Sequence, residues 1–184
     1  KYFAMYDKTS GKLTNKFVVI SNMTDKFINN IKRGNERVIT ARFEDAKFYY
    51  EDDLKKDLVY FNDKLKKITY IDGIGSIYKK IERMKKIVEY ISTKFCVSET
   101  DKTKALQSTE LCKFDLATGM VYEFPQLQGM IGAHYAKKKG IDDVVANSIK
   151  THYLFAGNLS ELSDSVCAKL TVFVDKFDIM SVCY

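Results

Sequence analysis

Lys79, Arg83, Lys86 and Tyr90 follow one another at steps of four, three and four residues, the spacing that lines side chains along one face of an α-helix. Cations interleaved with an aromatic ring suit RNA, because ammonium and guanidinium groups neutralise phosphates and a ring stacks on an unpaired base. An ordinary solvated helix face has the same composition, and spacing alone leaves both readings open. Other reactive groups are sparse. The histidines are His134 and His152, without a sequence-evident triad, and no serine or cysteine sits in a nucleophile elbow. His134, in GAHYA, reads as a core or interface residue. The Asp72-Gly73-Ile74-Gly75 stretch lacks the third glycine of a phosphate-binding loop and reads as a turn before Ser76, an N-cap. Cys96, Cys112, Cys167 and Cys183 form no CxxC or Cys/His pattern, so reduced thiols are expected and neither a zinc site nor a disulfide framework is suggested.

The basic line must be carried by a helix opening at Ser76, because Ile77, Ile81, Met84, Val88, Ile91 and Phe95 form an apolar stripe opposite it. Over residues 60 to 95 nine Lys and Arg face four Asp and Glu, so most of the chain's net charge of +6 sits here. Before it, residues 2–7 and 16–22 are rich in aromatic and β-branched types and flank Thr9-Ser10-Gly11-Lys12, a β-hairpin signal. Asn30 to Asn35 reads as a loop, and Glu36 to Lys56 as an amphipathic helix with Ile39, Phe43, Ala46, Tyr50 and Leu54 inward and a solvated acidic end, EDDLKKD. A short helix follows over Leu58 to Ile71. Ser98 to Lys104 reads as a loop, Ala105 to Met120 as a helix continued to the only proline, Pro125, and Leu127 to Lys139 as another closed by Gly140. Asp142 to His152 and Leu162 to Val182, the latter with Leu170, Phe173, Phe177 and Met180, supply two more.

The fold class is therefore α+β, predominantly α: a small mixed β-hairpin/helix module over residues 1–57, then an all-helical domain over 58–184. With 46% apolar residues a packed core is expected. No apolar run approaches the ~20 residues of a membrane span and no signal pattern opens the chain, so no membrane partner and a soluble protein are expected. The lack of Met at position 1 and the opening KYFAMYD suggest a piece of a longer chain.

Two long runs carry a family resemblance. GNERVITARFEDAKFYYEDDLK and KFDLATGMVYEFPQLQGMIGAHYA closely resemble the beta subunit of the bacterial two-subunit glycyl-tRNA synthetase. The resemblance implies a part of glycine-tRNA ligase that contributes tRNA binding and subunit scaffolding. It implies tRNA(Gly) and the alpha subunit as partners in an alpha2beta2 assembly in the cytoplasm. ATP and Mg would serve the whole enzyme, with none bound by this portion.

The helical part also resembles the HD domain of metal-dependent phosphohydrolases, in which histidines and aspartates hold divalent ions that activate water. The His-Asp pair is replaced here by Phe114-Asp115, the late Asp matches Asp175 in VDKFD, and His152 is the one imidazole within reach of the pattern. The resemblance thus implies a degenerate site with no catalytic residue and no metal, Asp115 and Asp175 serving as hydrogen-bonding posts between helices. The alternative is a free-standing HD-type phosphohydrolase acting on nucleotides. Departures from the synthetase pattern are HYLFAGN at His152 to Asn158, which lacks a Pro-Arg pair, and Asn158 to Val166.

Overall fold

The computed structural model describes residues 2–153 and 165–183; the HYLFAGN stretch beyond Tyr153 and the start of the last predicted helix at Leu162 lie outside the described residues. The chain divides into two compact units, Lys1–Glu44 and Asp45–Tyr184. That division falls inside a helix, whereas periodicity had suggested residue 57.

In the first unit, strands β1 (Tyr2–Tyr6) and β2 (Leu13–Val19) pair antiparallel, Phe3 opposite Val18 and Ala4 opposite Phe17. The reversal is built by Asp7, whose carboxylate accepts the Thr9 and Ser10 amides at 3.1 and 2.7 Å, and by Gly11 at φ +65°. This is the expected hairpin. Helix α1 (Ile28–Leu54) then runs through the segment read as a loop. Asn30 to Asn35 is helical because one glycine, Gly34, costs a helix only ~1 kcal/mol, and the Asn35 amide side chain donates back to the Ile31 carbonyl at 2.8 Å.

In the second unit the C-terminal half of α1 contributes Ala46, Tyr49, Tyr50 and Leu54 to a core around Phe61, Phe114, Tyr135, Val145 and Ile149. Of the stripe predicted for α1, Phe43 is exposed. Helix α2 (Leu58–Lys64) ends in a 3-10 turn, Leu65–Lys67, and is followed by a ribbon of β3 (Thr69–Ile71) and β4 (Gly75–Ser76). The helical domain thus carries one small β element that periodicity missed, since strands this short have no readable period.

Helix α3 (Ile77–Lys94) opens where predicted, the Ser76 hydroxyl accepting the Lys79 amide at 3.3 Å. Ile77, Ile81, Met84 and Val88 are buried as expected, while Phe95 is exposed beyond the helix end. Helix α4 (Glu99–Leu111) starts earlier than read, because Ser98 caps it by accepting the Asp101 amide. It also stops earlier. Residues 112 to 118 leave the α-helix through a 3-10 turn, Phe114–Ala117, before the short α5 (Gly119–Glu123) and a second such turn, Pro125–Leu127.

Helix α6 (Met130–Lys138) begins at Gly129, whose φ of +79° a side chain would resist, and ends before Gly140, also at +79°. Helix α7 (Asp143–Thr151) is capped by Asp142, and α8 (Val166–Cys183) packs on α3, α4 and α7. On α8 the predicted inward residues Phe173, Phe177 and Met180 are exposed. The side turned inward is Cys167, Ala168, Leu170, Thr171, Val172, Val174, Asp175 and Asp178; its apolar members are small and three polar residues are set among them, so the larger Phe173, Phe177 and Met180 gave the more conspicuous stripe.

Candidate functional site

The break after α4 decides the chemistry of the interior. In a regular helix three consecutive residues are spread over about 200°, yet Lys113, Phe114 and Asp115 are all buried, at 5%, 0% and 0% exposure. Lys113, at φ −120°, leaves the helix and turns its side chain toward α7 and α8. Its ammonium lies 2.9 Å from His152 Nε2 and 3.1 Å from Asp175 Oδ1, beneath the Tyr153 ring at 4.0 Å from its centroid. A second ammonium, from Lys80 on α3, stands 3.1 Å from the same Asp175 oxygen, 3.1 Å from the Asp175 carbonyl and 3.2 Å from Asp178 Oδ2. Arg83, one turn on, grips Asp178 with both prongs, Nε at 2.7 Å and its terminal nitrogen at 3.1 Å.

The protonation states follow from these contacts. His152 Nδ1 lies 2.6 Å from the Ile149 carbonyl; a carbonyl only accepts, so Nδ1 carries the proton and Nε2 accepts from Lys113. Burial and the adjacent Lys113 charge hold this imidazole neutral, well below the ordinary histidine range. Burial works against the Asp175 carboxylate, but Lys113 and Lys80 outweigh it and keep the group ionised well below the usual range. The Lys80 ammonium likewise overcomes its burial through Asp175 and Asp178 and is shifted upward. Cys112, one residue before Lys113, is no nucleophile: burial pushes its thiol up to about 12.

A divalent ion does not fit this donor set. His152 and Asp175, the imidazole and late carboxylate singled out in the sequence, do come together, but the Lys113 ammonium occupies the position between them. Asp115 faces elsewhere. Its Oδ2 accepts the Gly129 amide at 2.6 Å at the start of α6, and burial raises it to about 6. Gly132 of α6 leaves room for it, because a Cβ there would stand 2.7 Å from Oδ2. Phe114 packs against Phe61 at 6.1 Å between ring centroids, an apolar core contact where an imidazole was in question.

The basic line divides on burial. Lys79, Lys86 and Tyr90 are exposed on α3, whereas Arg83 is half-buried and committed to Asp178. His134 is exposed and shares a 2.8 Å hydrogen bond with the Tyr50 hydroxyl. Asp53, read as part of a solvated helix end, is buried; its carboxylate accepts the Gly119 and Met120 amides, each at 2.9 Å, and holds the start of α5. Lys80, Lys113, Asp53 and Asp178 escaped sequence reading because a charged side chain is ordinarily found at the surface, whatever its neighbours in the chain. No local signal marked the turn, since the stretch reads as one continuous helix from Ala105 to Met120.

All 184 residues match the family model described as glycyl-tRNA synthetase beta subunit. The glycine–tRNA ligase beta subunit of Pediococcus pentosaceus is 40% identical over 178 residues, that of Thermodesulfovibrio yellowstonii 44% and that of Streptococcus agalactiae 36%. In each case the alignment covers 97% of this chain and 26% of the relative, so the chain spans about a quarter of the length of these relatives.

Proposed function

The chain belongs to the glycyl-tRNA synthetase beta subunit family, and from that premise we propose that it is a tRNA-binding and subunit-scaffolding part of glycine–tRNA ligase. In this reading the complete beta subunit acts with an alpha subunit in an alpha2beta2 enzyme of the cytoplasm that charges tRNA(Gly) with glycine. ATP and Mg serve that reaction outside the residues described here. Among the described residues no helix is long and apolar enough to cross a membrane.

The observation that carries a non-catalytic role is the Lys113 ammonium, 2.9 Å from His152 Nε2 and 3.1 Å from Asp175. A hydrolytic HD site would need those two donors free to bind metal. Here a side chain of the protein supplies the positive charge, so the site binds helices α3, α7 and α8 to the turn after α4 instead of activating water. The geometry speaks against the phosphohydrolase alternative for the same reason.

The test uses the enzyme assembled from full-length alpha and beta subunits. It should glycylate tRNA(Gly), and a His152→Leu beta subunit that remains folded should do so at the parental rate. Stoichiometric transition metal in the beta subunit, together with a nucleotide phosphatase activity abolished by His152→Leu, would overturn the reading.

A further inference from the structure

A groove of about 470 Å³ lies in the second unit, between the end of α1, the turn after α2 and the start of α5. Its floor is apolar, made by Ile68, Leu116 and Ala117, and its rim carries Lys56, Lys64 and Lys67. Two acidic residues line it, and neither opposes an incoming anion fully. Asp53 spends its carboxylate on the Gly119 and Met120 amides, and Asp52 is paired with Lys56. Lys64, its ammonium 4.7 Å from the Tyr60 ring centre, and Lys67 have no carboxylate partner among the described residues.

At the mouth stands Tyr122, 83% exposed. Lys67 also lines the neighbouring hollow over the β3–β4 turn, beside Lys79 and one acidic residue, Asp72. The cationic rim therefore continues onto the first residue of the basic line of α3.

We propose that this groove receives an unpaired segment of RNA, its phosphates on Lys64, Lys67 and Lys79 and a base against the Tyr122 ring. The proposal rests on the tRNA-binding reading above and says where on this chain such a strand lies. Two features favour RNA over an acidic protein surface. The free cations are all lysines, point charges that suit phosphate, whereas carboxylate recognition favours the two-pronged arginine; the rim offers no arginine. An exposed ring beside an apolar floor gives a base a stacking platform, which every nucleotide can use whatever its sequence.

The experiment measures tRNA(Gly) affinity at two or more salt concentrations for the alpha–beta enzyme. It compares parental beta subunit with a Lys64→Ala/Lys67→Ala/Lys79→Ala triple variant and with Tyr122→Ala. Circular dichroism of each variant establishes that it is folded. The triple variant should bind at least tenfold more weakly at low salt, and its salt slope should fall by about 2, each single-strand phosphate contact contributing roughly 0.7. Tyr122→Ala should weaken binding about fivefold or more with the slope unchanged, because stacking releases no counterions. Parental affinity and slope in both folded variants, while the parental enzyme binds tRNA, overturn the groove alone. Failure of the parental enzyme to bind tRNA overturns the underlying reading as well. Loss of alpha-subunit association in the triple variant, with tRNA affinity unchanged, assigns the groove to a protein partner and overturns the proposal.

Discussion

Replacing Lys113 with methionine keeps the length and apolar body of the side chain while deleting its charge. Three contacts go: the ion pair with Asp175, the hydrogen bond to His152 Nε2 and the cation over the Tyr153 ring. Breaking a buried ion pair by removing one partner costs ~3–5 kcal/mol. Lys80 still stands 3.1 Å from Asp175 Oδ1, so the lower end applies, and at pH 7.5 a loss of about 3 kcal/mol, or about 6–12 °C in Tm, is expected.

The pH dependence separates this mechanism from simple packing damage. In the parental protein the folded His152 resists protonation, while the unfolded chain takes up a proton near pH 6.5. A histidine depressed in this way stabilises the fold above that pH and loses its contribution below it. By pH 5.5 the parental protein has lost about 1.4 kcal/mol through this one group. In Lys113→Met burial still opposes a charged imidazole, but the Lys113 repulsion is gone and Asp175 favours the charge, so part of that acid loss is removed and the deficit is smaller at pH 5.5 than at pH 7.5. Asp115, also relieved of the Lys113 charge, moves further toward its protonated form and acts in the same direction. Urea unfolding of both proteins at pH 7.5 and 5.5, repeated with His152→Leu in each, gives the four differences. A deficit under ~1 kcal/mol at pH 7.5, or one that stays the same at both pH values, refutes the account.

Arg83→Ala should cost about 2 kcal/mol in urea titration, because it strips a two-pronged charged hydrogen bond from buried Asp178, whereas Lys79→Ala and Lys86→Ala should stay within about 0.5 kcal/mol. Alanine normally improves a helix by ~1 kcal/mol over glycine, yet Gly132→Ala should destabilise by about 1–3 kcal/mol, its Cβ meeting an Asp115 carboxylate that the Gly129 amide holds in place; a gain in Tm would contradict this packing. Asp53→Asn leaves one acceptor oxygen for two amides and should lower stability by about 1–2 kcal/mol, with hydrogen exchange at Gly119 and Met120 accelerated first. Met84→Ala, in the fully buried stripe of α3, should cost about 2–5 kcal/mol through the cavity it opens.

Where an element obeys one period over several turns, its place was legible without coordinates. Helix α3 starts at Ser76 and buries Ile77, Ile81, Met84 and Val88 because four independent residues repeat the same spacing and a hydroxyl closes the first turn. The hairpin was readable for a similar reason, its turn chemistry sitting between two strands of the right composition. The α+β, mostly helical class and the family resemblance followed from such stretches. The charged interior did not. Lys80 is one residue from the exposed Lys79 and three from the half-exposed Arg83, and local sequence prices all three alike, as side chains that belong in water. What buries Lys80 and Lys113 is the presence, ninety-five and sixty-two residues later in the chain, of Asp175 on the inward side of α8. A lone buried charge is forbidden and a paired one allowed, and pairing across such separations exists only once the helices have packed. Sequence therefore determined the framework, while the tertiary structure alone decided which charges hold it together and that an ammonium stands between His152 and Asp175.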